Sequence, residues 1–139
     1  ASIIGNTLID NGAYGIRLNS SSADGVTIKN NMIDNTNSEA IETVAGSTVT
    51  SSQYNNYYNA GGTNISHLGT GTVPGTGDTQ VAGGFINRAG DDYQLAPGGN
   101  GWEDGTCLAS PYNADILGRV RAVQGCDQGA YESSKRRVF

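Results

Sequence analysis

Positive charge is the first thing this chain lacks. Its 139 residues carry 8 Lys and Arg against 13 Asp and Glu, with 1 His, for a formal net charge of −5. Binding nucleic acid requires clustered Lys and Arg against the phosphates, so that class of partner is excluded. The one basic cluster, Lys135, Arg136 and Arg137, reads as part of a tail over residues 133–139. Charged residues of both signs reach only 15%, which excludes a helical bundle rich in Ala, Leu, Glu and Lys. No apolar run approaches the roughly 18 residues of a membrane-spanning helix. No initiator Met or signal peptide opens the chain, so Ala1 reads as a mature-chain boundary. Proline (3) and cysteine (2) are scarce, whereas glycine (21) is abundant together with Asn, Ser and Thr, the residues of tight turns. A chain of this length fits one structural domain.

What the sequence does contain is a repeat. Asn6-Thr7-Leu8-Ile9-Asp10-Asn11 aligns with Asn30-Asn31-Met32-Ile33-Asp34-Asn35 and with Asn55-Asn56-Tyr57-Tyr58-Asn59-Ala60. A second set, Gly15-Ile16-Arg17-Leu18, Ala40-Ile41-Glu42-Thr43 and Asn64-Ile65-Ser66-His67, keeps the same period of 24–25 residues. Each copy holds strand-like pieces of alternating polarity, with Asn, Gly and Ser at the corners and no stretch of helical period. Such a unit cannot bury its own apolar face and must stack on its neighbours. The alignment predicts one interior column of Ile9, Ile33 and Tyr58, and a second of Ile16, Ile41 and Ile65. Tyr57, aligned with Leu8 and Met32, also reads as core. The Asn6, Asn30, Asn55 column falls where the chain must turn sharply.

The run Val26-Thr27-Ile28-Lys29-Asn30-Asn31-Met32-Ile33-Asp34-Asn35 resembles a coil of the right-handed parallel β-helices of the pectate-lyase-like superfamily. Its Asn-Asn pair is similar to that family's tight turn with an asparagine ladder. Leucine-rich, hexapeptide and calcium-binding nonapeptide repeats need consensus residues that this chain lacks. The resemblance implies an all-β fold, a right-handed parallel β-helix of about three coils of 24–25 residues over residues 1–68.

Residues 69–132 read as a loop and C-terminal capping segment, with Gly69–Gly77 expected to be a surface loop. Phe85-Ile86-Asn87, Asp92-Tyr93-Gln94-Leu95-Ala96-Pro97-Gly98, Asp115-Ile116-Leu117-Gly118-Arg119 and Asp127-Gln128-Gly129-Ala130-Tyr131-Glu132 follow in order. The series resembles the C-terminal segment of bacterial extracellular β-helix proteins. It departs from that segment at Gly101-Trp102-Glu103 and at Gln128, where an apolar residue is common. The resemblance implies an extracellular location and a plug over the open end of the helix, built from Trp102, Tyr93, Phe85, Leu95 and Ile116. Asp115 with Arg119, or Asp127 with Arg121, are the expected ion pairs. Cys107 and Cys126 form an even pair in a loop-rich segment, which favours a disulfide over free thiols. The N-terminal end has no such cap, because Ile3 and Ile4 already read as strand. The expectation is the C-terminal part of a longer β-helix, or a homo-oligomer stacked through that end.

In the resembling superfamily, enzymes that cleave or epimerise polysaccharides use one outer sheet and its loops. The matching positions here are Arg17, Glu42 and Ser66, with Asn19 and His67 nearby and Arg17 beside Glu42. β-Elimination from a uronate needs a base and several calcium-holding carboxylates, and this face offers one of each. Tyr14 and Tyr54 are the candidate surfaces for sugar rings. Asp10 and Asp34 form an acidic column that caps turns, holds a cation such as calcium, or, at the roughly 5 Å separation of retaining-glycosidase carboxylates, does acid/base chemistry, with turn-capping the leading reading; no other cofactor is indicated. His67 has no Ser or Cys nucleophile motif around it, so no triad is assembled. Asn19-Ser20-Ser21 and Asn64-Ile65-Ser66 match the glycosylation sequon. The expected function is a non-catalytic extracellular module, structural or in contact with polysaccharide. The alternatives are the remnant of a polysaccharide lyase, hydrolase or epimerase with its catalytic coils upstream, or a stand-alone self-associating protein.

Overall fold

A computed structural model describes residues 1–19, 25–35, 37–121 and 124–132. The basic tail 133–139, and with it Lys135, Arg136 and Arg137, lies outside the described residues, as do Ser20 and Ser21. The chain is all-β. Strands β1 (Ser2–Ile4), β2 (Thr7–Ile9), β3 (Ile16–Leu18), β4 (Val26–Lys29), β5 (Met32–Asn35), β6 (Ile41–Thr43), β7 (Val49–Gln53), β8 (Asn56–Asn59) and β9 (Ile65–His67) recur in threes. They pair in parallel into three sheets, β1-β4-β7, β2-β5-β8 and β3-β6-β9, so each passage of the chain lies on the one before it. This is a β-helix-like solenoid. Among the described residues no helix is long and apolar enough to cross a membrane.

Alternation sets the faces. In β4 Val26 and Ile28 are buried while Thr27 and Lys29 are half-exposed, because successive side chains of a strand point to opposite sides. Ile16, Ile41 and Ile65 stack in register as the second repeat predicts. The first repeat is corrected by one residue. β2, β5 and β8 pair as Leu8–Ile33–Tyr57 and Ile9–Asp34–Tyr58. The interior column is therefore Leu8, Ile33 and Tyr57, with Tyr57 fully buried. Ile9 and Tyr58 share the outer face with Asp34.

The cause of the slip is the corner between the first two sheets. Gly5, Asn30 and Tyr54 occupy equivalent places there with φ of 66°, 53° and 55°, the left-handed conformation that turns the chain. The asparagine after each one enters the solenoid. Asn6 Nδ2 donates to Asn31 Oδ1 at 3.0 Å, and Asn31 Nδ2 donates to Asn55 Oδ1 at 2.8 Å. The ladder is thus Asn6–Asn31–Asn55, spaced 25 and then 24 residues, with Asn31 and Asn55 wholly buried. Asn30 is the turn residue beside it.

Gly69–Gly77 does not leave the solenoid as a surface loop. Thr70, Thr76 and Thr79 make parallel bridges to Thr48, Gln53 and Asn56, and Val73 is buried in the core. The stretch closes the far end of the stack with an irregular layer.

The C-terminal segment, expected to plug that end, instead lies along the outer face of the β2-β5-β8 sheet. Ala130 N donates to Thr7 Oγ1 at 2.9 Å, Gly129 N to Asn30 O at 2.7 Å, and Gly83 N to Asp34 Oδ2 at 2.9 Å. The fit is close: a Cβ at Gly101 would meet Met32 Cε at 2.1 Å, and one at Gly129 would meet Thr7 Oγ1 at 2.5 Å. Both glycines also have positive φ. Within the segment β10 (Phe85–Asn87) pairs antiparallel with β11 (Asp92–Leu95), and Phe85 packs edge-on against Tyr93 with centroids 5.8 Å apart. Leu95 is buried, but Ile116 is exposed and plugs nothing. The turn that carries it is held by Asp115, which pairs with Arg119 at 2.6 Å, leaving the isoleucine on the outer side. Arg121 Nη1 lies 3.3 Å from the Glu132 carboxylate and donates to the backbone carbonyl of Asp127. Cys107 and Cys126 form the expected disulfide.

Candidate functional site

The outer face of the β3-β6-β9 sheet brings together most of the residues singled out from the sequence. Arg17, Glu42 and Ser66 occupy one column across three paired strands. Arg17 Nε donates to Glu42 Oε2. The same guanidinium lies over the Tyr14 ring, 4.6 Å from its centroid. One arginine thus joins an aromatic plane to a carboxylate, and all three groups reach solvent. A cation over a tyrosine contributes about 0.5–1 kcal/mol at an exposed site, and the surface ion pair about 0–1 kcal/mol. Beside them Ser38 Oγ donates to the Glu39 carboxylate, and this bond, with a smaller attraction from Arg17, holds Glu39 below the usual glutamate range.

His67 follows Ser66 on β9 but faces the other way: it lies in the Leu18–Thr43–His67 column, on the inner side of the sheet with Ile16, Ile41 and Ile65. Its Nε2 lies 3.3 Å from the carbonyl oxygen of Gly71 and its Nδ1 2.5 Å from Thr43 Oγ1. A carbonyl only accepts, so Nε2 carries the proton and Nδ1 accepts from the threonine hydroxyl. Asn19 is exposed just after β3. Tyr54 sits elsewhere, in the corner between β7 and β8. Asn64, of the second sequon, is engaged by Asn59 N at 2.7 Å and by Gln80 at 3.3 Å.

Asp10 and Asp34 meet a cation supplied by the chain itself. Arg88 Nη2 lies 2.8 Å from Asp10 Oδ1 and 3.0 Å from Asp34 Oδ1. Burial pushes the Asp34 carboxyl above its ordinary value; the Gly83 N–H and Arg88 oppose this and Asp10 adds to it. Arg88 was not legible as a partner, since 54 residues separate it from Asp34 and the repeat does not extend to it. Among the described residues no group of three His, Cys, Asp or Glu side chains is placed to hold a metal ion.

No protein-family model, no curated protein and no solved structure matches this chain. The solenoid geometry and the residues on its faces therefore carry the functional reading.

Proposed function

We propose that the chain is a right-handed parallel β-helix module of about three coils that contacts polysaccharide outside the cell without turning it over. The observation that carries this reading is the Tyr14–Arg17–Glu42 set on the exposed strand face. A tyrosine ring offers a flat apolar surface to the C–H face of a sugar. A guanidinium offers forked donors to carboxylates or hydroxyls, and a glutamate offers acceptors to further hydroxyls. Parallel strands set Arg17, Glu42 and Ser66 in one column about 4.8 Å apart, so a single extended ligand can reach all three. The acid and base on this face are bonded to each other, which favours ligand contact over proton transfer. One intrachain disulfide is compatible with an oxidising location.

The test is native electrophoresis through gels containing acidic and neutral polysaccharides, with the unaltered chain and with Tyr14→Ala and Arg17→Ala. Retardation in at least one gel, lost in both variants, is the expected result. Unchanged mobility in every gel overturns the reading, and a cleared track behind the band overturns its non-catalytic part.

A further inference from the structure

The chain contains two Asn-Gly pairs, Asn11-Gly12 and Asn100-Gly101, and the fold treats them oppositely. In such a pair the side-chain amide is open to attack by the next backbone nitrogen, because glycine has no Cβ to shield that nitrogen. Attack requires a free N–H and a main chain with room to turn. Asn100-Gly101 has neither. Gly101 is buried, its N donates to Asp104 Oδ2 at 2.9 Å, and a Cβ there would meet Met32 Cε at 2.1 Å. Asn100 Nδ2 donates to Ala82 O at 2.9 Å, and Asn100 O accepts from Gly84 N at 3.0 Å. Asn11-Gly12 lies between β2 and β3, outside both strands. Gly12 is exposed, and a Cβ added to it would meet nothing within 4 Å. Among the described residues neither its N–H nor the Asn11 side chain is hydrogen-bonded. The bond this pair does make runs from Asn37 Nδ2 to Asn11 O, at 2.8 Å. That oxygen shares the charge left when the Gly12 amide loses its proton, so a donor on it favours the reactive form.

We propose that Asn11 is a self-modification site, converted to aspartate and isoaspartate by water through a cyclic imide with Gly12. The Gly12 nitrogen, deprotonated by solvent hydroxide, forms a bond to Asn11 Cγ. The Cγ–Nδ2 bond breaks, and Nδ2 takes a proton from water and leaves as ammonia. A water molecule then opens the ring. Cleavage between Cγ and the Gly12 nitrogen gives aspartate, and cleavage between the Asn11 carbonyl carbon and that nitrogen gives isoaspartate. In the second product the main chain runs through Cβ and Cγ and is a carbon longer. Nothing is oxidised or reduced. Either product adds a negative charge next in sequence to Asp10, whose carboxylate lies 2.8 Å from Arg88, in the passage that leads into β3. The conversion rests on none of the side chains proposed to contact polysaccharide, so the two readings fail separately.

The test is incubation of the full chain, folded and with its disulfide intact, in mildly alkaline buffer made with heavy-oxygen water. Proteolysis and peptide mapping that separates aspartate from isoaspartate then follow both sites. Asn11 is expected to convert at least about tenfold faster than Asn100, whose pair must give up several hydrogen bonds before it reacts. Both products at position 11 should carry oxygen from the solvent. In the chain reduced and unfolded in urea the two sites should convert at similar rates, which isolates the fold as the cause of the difference. Gly12→Ala places its methyl in open space at a φ that is not left-handed, so it should fold as the unaltered chain does and convert more slowly at Asn11. Equal rates at the two sites in the folded chain, or Asn11 left intact while the unfolded chain reacts at both, overturns the proposal. Conversion undiminished in Gly12→Ala overturns the cyclic route.

Discussion

Asp78 Oδ1 accepts from both the backbone N of Asn55, at 2.8 Å, and its Nδ2, at 3.0 Å. An aspartate therefore stands where the ladder would place its next asparagine, 23 residues on. Its second oxygen accepts from Ser52 Oγ and from Gly75 N at 2.7 Å. Four donors converge on this side chain, and a carboxylate answers them because it only accepts. An amide at this position would set its own N–H groups against two of them. Asp78→Asn is expected to lower stability by about 1–3 kcal/mol. Urea denaturation reads the change, and a midpoint equal to that of the unaltered chain would remove the terminator role.

The interior rungs are worth more than the edge rung. Asn31 is wholly buried; it accepts from Asn6 and donates to Asn55 Oδ1, Ile3 O and Lys29 O. Asn31→Ala removes these side-chain bonds and takes from Asn6 N and Nδ2 their shared acceptor, while the Asn31 backbone N still reaches Asn55 Oδ1 and Gly5 N still donates to Lys29 O; the expected loss is roughly 2–4 kcal/mol. Asn6→Ala, at a half-buried edge, is expected to cost only about 1 kcal/mol. Comparable losses at the two positions in chemical denaturation would show that the ladder is not what distinguishes them.

The period and the second repeat were legible because Ile16, Ile41 and Ile65 have no equivalent neighbour to be mistaken for. The first repeat slipped because each of its copies carries ambiguous doublets. Leu8 and Ile9, Met32 and Ile33, and Tyr57 and Tyr58 are apolar pairs in which either member could face inward, and Asn30-Asn31 offers two candidates for one rung. A one-residue slip reverses every face, and the sequence alone offers Tyr58 for the interior place that Tyr57 fills. Arg17 beside Glu42 was legible from the period. Asp78 falls 23 residues after Asn55, one short of the period, and Gly and Pro around it conceal a stacked layer. Arg88 had no periodic signal at all, since its contacts depend on how the C-terminal segment folds back.

Two buried aspartates should give opposite slopes of stability against pH. Asp34 has its folded value raised above the ordinary 3.8, chiefly by burial. The protonated form is thus favoured by folding, and its contribution is complete below 3.8 and is lost as pH rises through the raised value. Asp115 is held below 3.8 because bonds from Arg119 and from the Glu132 N–H outweigh burial, the largest single influence on it. Its contribution is present above 3.8 and is lost as pH falls through the lowered value. Urea unfolding across roughly pH 3 to 7 should show the unaltered chain losing stability relative to Asp34→Asn as pH rises, and gaining it relative to Asp115→Asn. Curves parallel to that of the unaltered chain would exclude these carboxyls as the source.

The disulfide closes a loop with a sequence separation of 19 and ties down the segment that covers the β2-β5-β8 sheet. Reduction, or the double change Cys107→Ser and Cys126→Ser, is expected to lower stability by about 3 kcal/mol through the freedom returned to the unfolded chain. Hydrogen exchange should then rise first at Gly129 and Ala130, whose amides bond to Asn30 and Thr7. Loss of protection beginning instead at the Asn31–Asn55 rungs would show that the segment and the solenoid unfold as one.

Gln128 offers a stabilising change. It is 1% exposed, and neither its Oε1 nor its Nε2 has a hydrogen-bond partner among the described residues, although its backbone N donates to Gly101 O at 2.8 Å. A buried amide without partners loses its hydration and recovers nothing for it. Gln128→Leu keeps a similar volume while removing both polar atoms, and the backbone bond to Gly101 does not involve the side chain. The expected gain is about 1–2 kcal/mol, read as a higher denaturation midpoint with an unchanged slope. Gln128→Glu places a charge in the same spot and should lower the midpoint. A lower midpoint for the leucine variant would mean that the amide is satisfied in solution, and a water molecule bonded to it would be the first place to look.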